Sequence, residues 1–141
     1  MKKDTPQLIK MDFFMKYIID NRQTVVILPV ELSGDSTKYF VNMVVDTGAI
    51  LVMIPWKVAE FLGYDPATSK EWVTMTTAST VEKVPLITMK EMTVLGHSLR
   101  DIKVAIHNMP PMGRVDGLLG LSFLSRFNLK MMFKEGYIEL D

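Results

Sequence analysis

The sequence predicts a mostly β fold: a closed, mostly antiparallel β-barrel with one or two short helices. Segments rich in β-branched residues recur along the chain, turn-forming residues separate them, and two brief stretches have a helical pattern. The length of 141 residues suits one domain, and a hydrophobic content of 48% is enough for a core. We place this domain at residues 23–141 and treat residues 1–22 as a separate N-terminal segment.

The N-terminal segment has apolar residues at helix-like intervals. They lie between residues 7 and 21: Leu8, Met11, Phe14, Met15 and Ile18. Such spacing favours a short amphipathic helix, and an irregular arm is the alternative.

A β-hairpin is predicted next. Residues 24–32 and 38–46 are rich in β-branched and aromatic residues, and Ser33-Gly34-Asp35-Ser36 between them has turn chemistry. Pro29 cannot donate a backbone hydrogen bond, so the first strand should lie at a sheet edge or contain a bulge there.

A strand and a helix should follow. Residues 50–55 read as a strand, Pro55 is well placed to open a helix over residues 56–62, and Gly63 is suited to end it.

The second half of the chain predicts further strands and one more helix. Strands are expected at residues 72–80, 81–89, 92–95 and 99–106, a loop at 108–113, a short helix at 120–127, and a hairpin at 129–140. Gly96-His97 and Glu135-Gly136 supply the expected turns.

Composition argues against several classes of protein. Lys plus Arg and Asp plus Glu number 16 each, so the chain has no net positive charge that would favour binding to nucleic acid. The chain has no cysteine, and its two histidines, His97 and His107, are ten residues apart, which does not suit a metal site. No apolar run is long enough for a membrane span.

The segment that points to chemistry is Asp46-Thr47-Gly48-Ala49. It follows an apolar strand, so the Asp46 carboxylate should be partly shielded from water and need a partner. Thr47 offers a hydroxyl, and Gly48 permits close approach of backbone or substrate. The same residues are also compatible with an Asx-type turn that only closes a hairpin.

A second motif, Leu118-Leu119-Gly120, leads into the predicted helix of residues 120–127. Together with Val44-Val45-Asp46-Thr47-Gly48-Ala49, it makes residues 24–140 resemble the retropepsin-like aspartic proteases, in particular the small single-domain bacterial members. The resemblance implies the retropepsin fold, with Asp46 as the catalytic residue and Thr47, Gly48 and Ala49 as its support.

In this family two Asp carboxylates face each other, share a proton and activate one water, without metal or cofactor. This chain has one Asp-Thr-Gly, so the resemblance implies a homodimer that joins Asp46 to its twofold mate, with Thr47 hydrogen-bonded across the axis. Asp116 is a rival second carboxylate, but the Asp-Gly that it forms is more typical of a turn or cap.

The substrate-covering flap of the family corresponds to Thr77, Ala78, Ser79 and Thr80. Many bacterial relatives carry a glycine near the flap tip, which this chain lacks, so a plain polar turn is the alternative. The chain also has Ile50 after Ala49, where relatives often have a small hydroxyl residue.

These observations predict an aspartic endopeptidase acting on polypeptides. One alternative is a catalytically weak or inactive peptide-binding or dimerisation module, and another is an unrelated β-barrel with an accidental Asp-Thr-Gly. A soluble, cytoplasmic protein is expected, although the chain could also be the soluble domain of a larger or anchored bacterial protein.

Overall fold

The computed structural model describes residues 8–11, 14–20, 22, 25–76, 78–110 and 115–141. Within these residues the chain forms eleven strands and two short α-helices. The first part contains β1 (Leu8–Met11), β2 (Phe14–Ile18), β3 (Ile27–Ser33), β4 (Lys38–Val45), β5 (Val52–Ile54) and α1 (Trp56–Phe61). The second part contains β6 (Glu71–Thr76), β7 (Val81–Val94), β8 (His97–Ile106), β9 (Leu118–Leu119), α2 (Leu121–Leu124), β10 (Leu129–Met132) and β11 (Tyr137–Leu140).

Seven strands form the larger sheet, in the order β3-β4-β9-β5-β8-β7-β6. An additional pairing of β3 with β7 joins six of these strands into a ring and leaves β6 outside it. Two pairings are parallel, β4 with β9 and β5 with β8, and the others are antiparallel. The mostly β fold with two short helices is therefore confirmed, and the mostly antiparallel pairing has these two parallel exceptions.

The hairpin of β3 and β4 has its turn where the sequence predicts it. Leu28 pairs with Met43 and Val30 with Val41, and all four side chains are buried in the core. Pro29 lies opposite Asn42, and β7 pairs with β3 only from Val30 onward. Pro29 therefore lies at a local sheet edge, where its missing N–H costs no ladder bond, as the sequence predicts.

The sequence predicts two strands, at residues 81–89 and 92–95, where the structure has the single long strand β7. It runs unbroken from Val81 to Val94, but its pairing with β8 skips one position, between the pairs Met89–Ile102 and Glu91–Arg100. Asp101 has a φ of 59° at this point. The turn after β7 lies at Leu95 and Gly96, with φ values of 48° and 83°, one residue before the predicted position.

The helix predicted in the N-terminal segment is wrong for the residues that the structure describes. β1 and β2 pair antiparallel, and β2 also pairs with β11, so a second sheet has the order β1-β2-β11-β10. The spacing of apolar residues cannot separate a short helix from strands. The terminal hairpin of β10 and β11 supplies backbone partners for this segment, and Tyr17 is buried in the resulting contact.

Both helices lie where the sequence predicts them, although α2 is shorter. Pro55 precedes α1, and Gly63, with a φ of 94°, follows Leu62 at its C-terminal cap. From α2, Phe123 and Leu124 are buried in the main core. The predicted hairpin at the C-terminus is confirmed, with Gly136 at a φ of 84° in its turn.

Candidate active site

The turn after β4 fixes the carboxylate of Asp46. The backbone N–H of Gly48 donates to Asp46 Oδ1 at 2.9 Å, and the N–H of Ala49 donates to the Asp46 carbonyl oxygen at 3.2 Å. These bonds are those of an Asx-type turn. The turn does not close a hairpin, because β9 lies between β4 and β5 in the sheet. The two hydrogen bonds hold the carboxylate in one orientation, which a catalytic group also requires.

The Leu118-Leu119-Gly120 motif and the residue after it are hydrogen-bonded to this turn through backbone groups. β9 lies between β4, which it pairs with in parallel, and β5, which it meets at Met53. The N–H of Asp46 donates to the Leu119 carbonyl oxygen at 3.0 Å, and the N–H of Leu121 donates to the Ala49 carbonyl oxygen at 2.8 Å. The structure thus brings the two sequence motifs together through backbone hydrogen bonds.

The turn presents an open face beyond the carboxylate. Thr47 and Gly48 are exposed, Asp46 and Ala49 are half-buried, and the Ile50 side chain is 78% exposed. Among the described residues, the Gly48 N–H is the only hydrogen-bond donor to the Asp46 carboxylate. The carboxylate therefore retains acceptor capacity for a water, a substrate or a second carboxyl group.

A hairpin of β6 and β7 lies where the flap is expected. Its last pair is Thr76 with Val81. In the connection, Ala78, Ser79 and Thr80 are exposed, and Thr77 lies outside the described residues. A small cluster of buried residues near the hairpin's base includes Val84, Leu86 and Ala105. Three half-buried side chains pack against that cluster: Leu51, Val73 and Met75. One face of the hairpin is therefore anchored by apolar packing to the segment that follows the Asp46 turn.

Asp116 is too far along the sheet to be the second carboxylate. Its N–H donates to the Asn42 carbonyl oxygen at 2.8 Å, which places it level with Asn42 on the parallel strand β4. Asp46 lies four residues beyond Asn42 along the chain, so roughly 13 Å of strand separates the two levels. The site in one chain therefore contains Asp46 without Asp116.

Two side chains that the sequence does not single out, Ser122 and Asn108, form long-range hydrogen bonds to the elements that follow the Asp46 turn. Ser122 Oγ accepts from the Val52 N–H at 2.9 Å and donates to the Lys103 carbonyl oxygen at 3.0 Å, joining α2, β5 and β8. Asn108 Oδ1 accepts from the Trp56 N–H at 3.1 Å, which caps the first turn of α1. A serine and an asparagine outside any motif carried no sequence signal for these long-range contacts.

Neither histidine contacts Asp46; each has a polar partner elsewhere in the described residues. His97 Nε2 lies 2.7 Å from the Leu140 carbonyl oxygen, and His107 Nδ1 lies 3.8 Å from a Glu82 carboxylate oxygen. Within the part of the chain that the structure describes, no group of three His, Asp or Glu side chains is placed to hold a metal ion.

None of the helices in the described ranges has the length and apolar character needed to cross a membrane.

Comparisons with known proteins agree with this geometry. Residues 30–126 match the family described as "gag-polyprotein putative aspartyl protease". A comparison with curated proteins found no match.

Two solved structures share the fold. A retropepsin-like aspartic protease from Rickettsia conorii is similar at a TM-score of 0.65 and 23% identity, covering 99% of this chain and 96% of that one. The retroviral protease-like domain of Ddi1 from Leishmania major is similar at a TM-score of 0.57 and 18% identity, covering 84% and 90%. With the family match spanning more than half of its length, the chain belongs to the retropepsin-like aspartic proteases of the gag-polyprotein type.

Proposed function

We propose that the protein is an aspartic endopeptidase whose active site forms when two copies of the chain bring Asp46 and its twofold mate together. The observation that carries this proposal is the rigid, open-faced turn at Asp46. One chain supplies a single oriented carboxylate there, and the register of β9 keeps Asp116 away from it. A twofold axis beside the turn would supply the second carboxylate from identical residues.

The chemistry follows from two carboxyl groups that share one proton. Like charges at such short range do not both ionise, so one group is a carboxylate and the other a carboxylic acid. The carboxylate takes a proton from a water molecule, whose oxygen attacks the carbonyl carbon of the peptide bond, while the acid donates a hydrogen bond to the carbonyl oxygen. A proton then passes to the amide nitrogen, and the carbon–nitrogen bond breaks.

Each residue of the turn has a distinct part in this proposal. The Gly48 N–H holds Asp46 Oδ1 and so orients the carboxylate towards the open face. Thr47, which is exposed in one chain, would hydrogen-bond across the twofold axis. The Ala49 carbonyl oxygen is engaged by Leu121, which keeps the turn in place while substrate binds.

The substrate would be an extended polypeptide held between the turn and the β6–β7 hairpin. Extended peptides bind such clefts by main-chain hydrogen bonds, with pockets for alternate side chains. Ala78, Ser79 and Thr80 would form the part of the flap that covers the peptide; Thr77, the fourth predicted flap residue, lies outside the described residues. The half-buried Val73 and Met75, on the hairpin's strand β6, favour apolar contact with one side of it.

The test is cleavage of a peptide library by the purified protein between about pH 4 and 7, where a carboxylate dyad changes state. Asp46→Asn should abolish cleavage and leave the fold intact, because the amide keeps the acceptor for the Gly48 N–H. Asp116→Asn is the matched control and should retain cleavage. If the wild type forms a stable dimer but cleaves no peptide, the protein is a peptide-binding or dimerisation module instead.

A further inference from the structure

The hairpin of β6 and β7 projects beyond the strand β8 that lies beside it. The pairing of β7 with β8 ends at Leu86 and Ala105, whereas β6 and β7 remain paired with each other beyond that point. We call this projecting part, residues 72–76 and 81–85, the hairpin arm. A two-stranded hairpin is only marginally stable by itself. Contacts between the side chains of the arm and the rest of the chain should therefore decide how firmly the arm is held.

One such contact joins the arm to the rest of the chain through charged groups. Glu82, near the end of the arm, has its carboxylate oxygen Oε1 at 3.8 Å from Nδ1 of His107. His107 directly follows β8, and its N–H donates to the Ile54 carbonyl oxygen at 3.0 Å. The next residue, Asn108, is bonded through its side chain to the Trp56 N–H. The imidazole is therefore fixed to the body of the domain, while the carboxylate belongs to the projecting arm.

Other charged groups lie farther from the imidazole. Lys103 and Glu71, on the same face of the sheet, form an ion pair with each other. Lys103 precedes His107 by four residues, roughly 13 Å of strand. Asp116 precedes β9, which β5 separates from β8 by roughly 10 Å. Residues 51–56, which include β5, carry no charge. Among the described residues, the arm's carboxylate is therefore the charged group that this ring meets.

The strength of the contact depends on the charge of the histidine. Histidine side chains ordinarily change charge between about pH 5 and 8, and glutamate side chains are ordinarily ionised above about pH 5. A protonated His107 attracts Glu82 on the acidic side of neutrality, and a neutral ring does not. The two side chains are 29% and 46% exposed, so water screens the attraction and keeps it modest.

We propose that His107 is a positioning residue for the flap: its protonated ring holds Glu82, restrains the hairpin arm and tightens peptide binding as the pH falls below neutrality. The proposal rests on the proposed function, because the arm is part of the proposed flap. A restrained arm has less conformational freedom to lose when a peptide binds, so the contact lowers KM. For a partly exposed ion pair the expected effect on KM is about two- to fivefold.

The experiment measures KM, kcat and hydrogen exchange of the arm's amides at about pH 5.5 and 7.5, on either side of the range in which histidine changes charge. The rise in KM between the two pH values should be about two- to fivefold larger in the wild type than in His107→Gln or Glu82→Gln, with kcat unaltered. Comparing variants removes the pH dependence that the carboxylate dyad itself contributes. The wild-type arm should also be better protected from exchange at the lower pH, and this difference should disappear in both variants.

Two further variants control for the charge itself. Glu71→Gln is the matched control, because Glu71 is on the same hairpin but pairs with Lys103, whose charge does not change in this range of pH. It should keep the wild-type difference between the two pH values. His107→Lys retains a cation at both pH values, so its KM at pH 7.5 should stay close to that at pH 5.5. Since the Glu82 side chain is 46% exposed, Glu82→Gln should fold even if a change at His107 does not.

The outcomes separate this proposal from the proposed function. The same pH dependence of KM and of exchange in the wild type, His107→Gln and Glu82→Gln overturns the role of His107, while loss of cleavage in Asp46→Asn would still support the endopeptidase. An equal effect of Glu71→Gln, or a change in kcat without one in KM, also overturns it. A wild type that cleaves no peptide but whose arm shows the expected protection supports the contact and removes the endopeptidase.

Discussion

Gly120 lies directly against Ala49: a Cβ atom on Gly120 would be 2.7 Å from the Ala49 carbonyl oxygen, a distance that side-chain carbons do not tolerate. That carbonyl oxygen also accepts the Leu121 N–H. The glycine of the Leu-Leu-Gly motif is therefore required by the approach of two backbones and not by an unusual φ. It allows β9 to support the turn that orients Asp46.

Replacing Gly120 with alanine should disturb both stability and cleavage. The added methyl meets backbone atoms on the Asp46 turn, which cannot rotate away as a side chain can, so we expect a loss of about 1–3 kcal/mol in the free energy of unfolding. Because the turn itself must shift, kcat should fall by more than the loss of folded protein explains. Urea denaturation and steady-state kinetics measure the two effects.

The control for this variant is Gly136→Ala. Gly136 has a φ of 84°, and among the described residues nothing lies within 4 Å of the place that a methyl group would take. Only the backbone cost of about 1 kcal/mol should therefore appear, without a change in kcat. Equal effects of the two variants on kcat would show that Gly120 has no special relation to the turn.

Removing the hydroxyl of Ser122 should destabilise the parallel pairing of β5 with β8. In Ser122→Ala the half-buried Val52 N–H loses its partner, and so does the more exposed Lys103 carbonyl oxygen, at a cost of about 1–2 kcal/mol. Ser125→Ala is a suitable comparison, because Ser125 is exposed and its side chain makes none of the hydrogen bonds found among the described residues. Thermal denaturation should separate the two, and similar melting temperatures would contradict the bridging role.

Local signals predicted the elements whose structure depends on neighbours in sequence. The β3–β4 hairpin has turn residues between two β-branched segments, and α1 is bracketed by Pro55 and Gly63. The Asp46 turn was identified by its own residues together with the resemblance. In each case a few adjacent side chains determine the backbone conformation, so the element can be predicted from a single sequence.

Elements that depend on distant partners were not predictable in the same way. β2 is a strand because β11, far along the chain, offers it an edge, and its apolar spacing alone favoured a helix. The insertion of β9 between β4 and β5 likewise requires the three-dimensional arrangement of the sheet. The contacts of Ser122 join residues 70 and 19 positions apart, and no local pattern announces them.

The hydroxyl of Tyr64 should stabilise β7 at the point where its pairing with β8 is interrupted. It donates to the Ser33 carbonyl oxygen at 2.8 Å and accepts from the Lys90 N–H at 2.8 Å, at the position where β8 offers Lys90 no partner. Tyr64→Phe removes the partner of the half-buried Ser33 carbonyl oxygen and of the exposed Lys90 N–H, so we expect a loss of about 1–2 kcal/mol and faster hydrogen exchange at the Lys90 amide. Tyr39→Phe keeps the ring contact with Phe61 and should change neither quantity much. Unaltered exchange at Lys90 in Tyr64→Phe would contradict this account.

Alkaline unfolding should depend on Tyr17. Its side chain is 4% exposed where β2 meets β11, and burial raises its pKa from 10 to about 12. Below pH 10 the folded and unfolded chains both keep the phenol proton. Between about pH 10 and 12 the unfolded chain releases it while the folded chain retains it, so the free energy of unfolding falls as pH rises. The total loss contributed by Tyr17 should be on the order of 3 kcal/mol.

The measurement is the free energy of unfolding of the wild type and of Tyr17→Phe at several pH values from 8 to 12. Phenylalanine preserves the buried ring and removes the ionisable group, so the difference between the two proteins should be constant up to about pH 10. Above that pH the wild type should lose stability faster than the variant, because only the wild type must keep the Tyr17 phenol protonated in the core. Parallel curves throughout this range would mean that the Tyr17 hydroxyl reaches water in the folded protein.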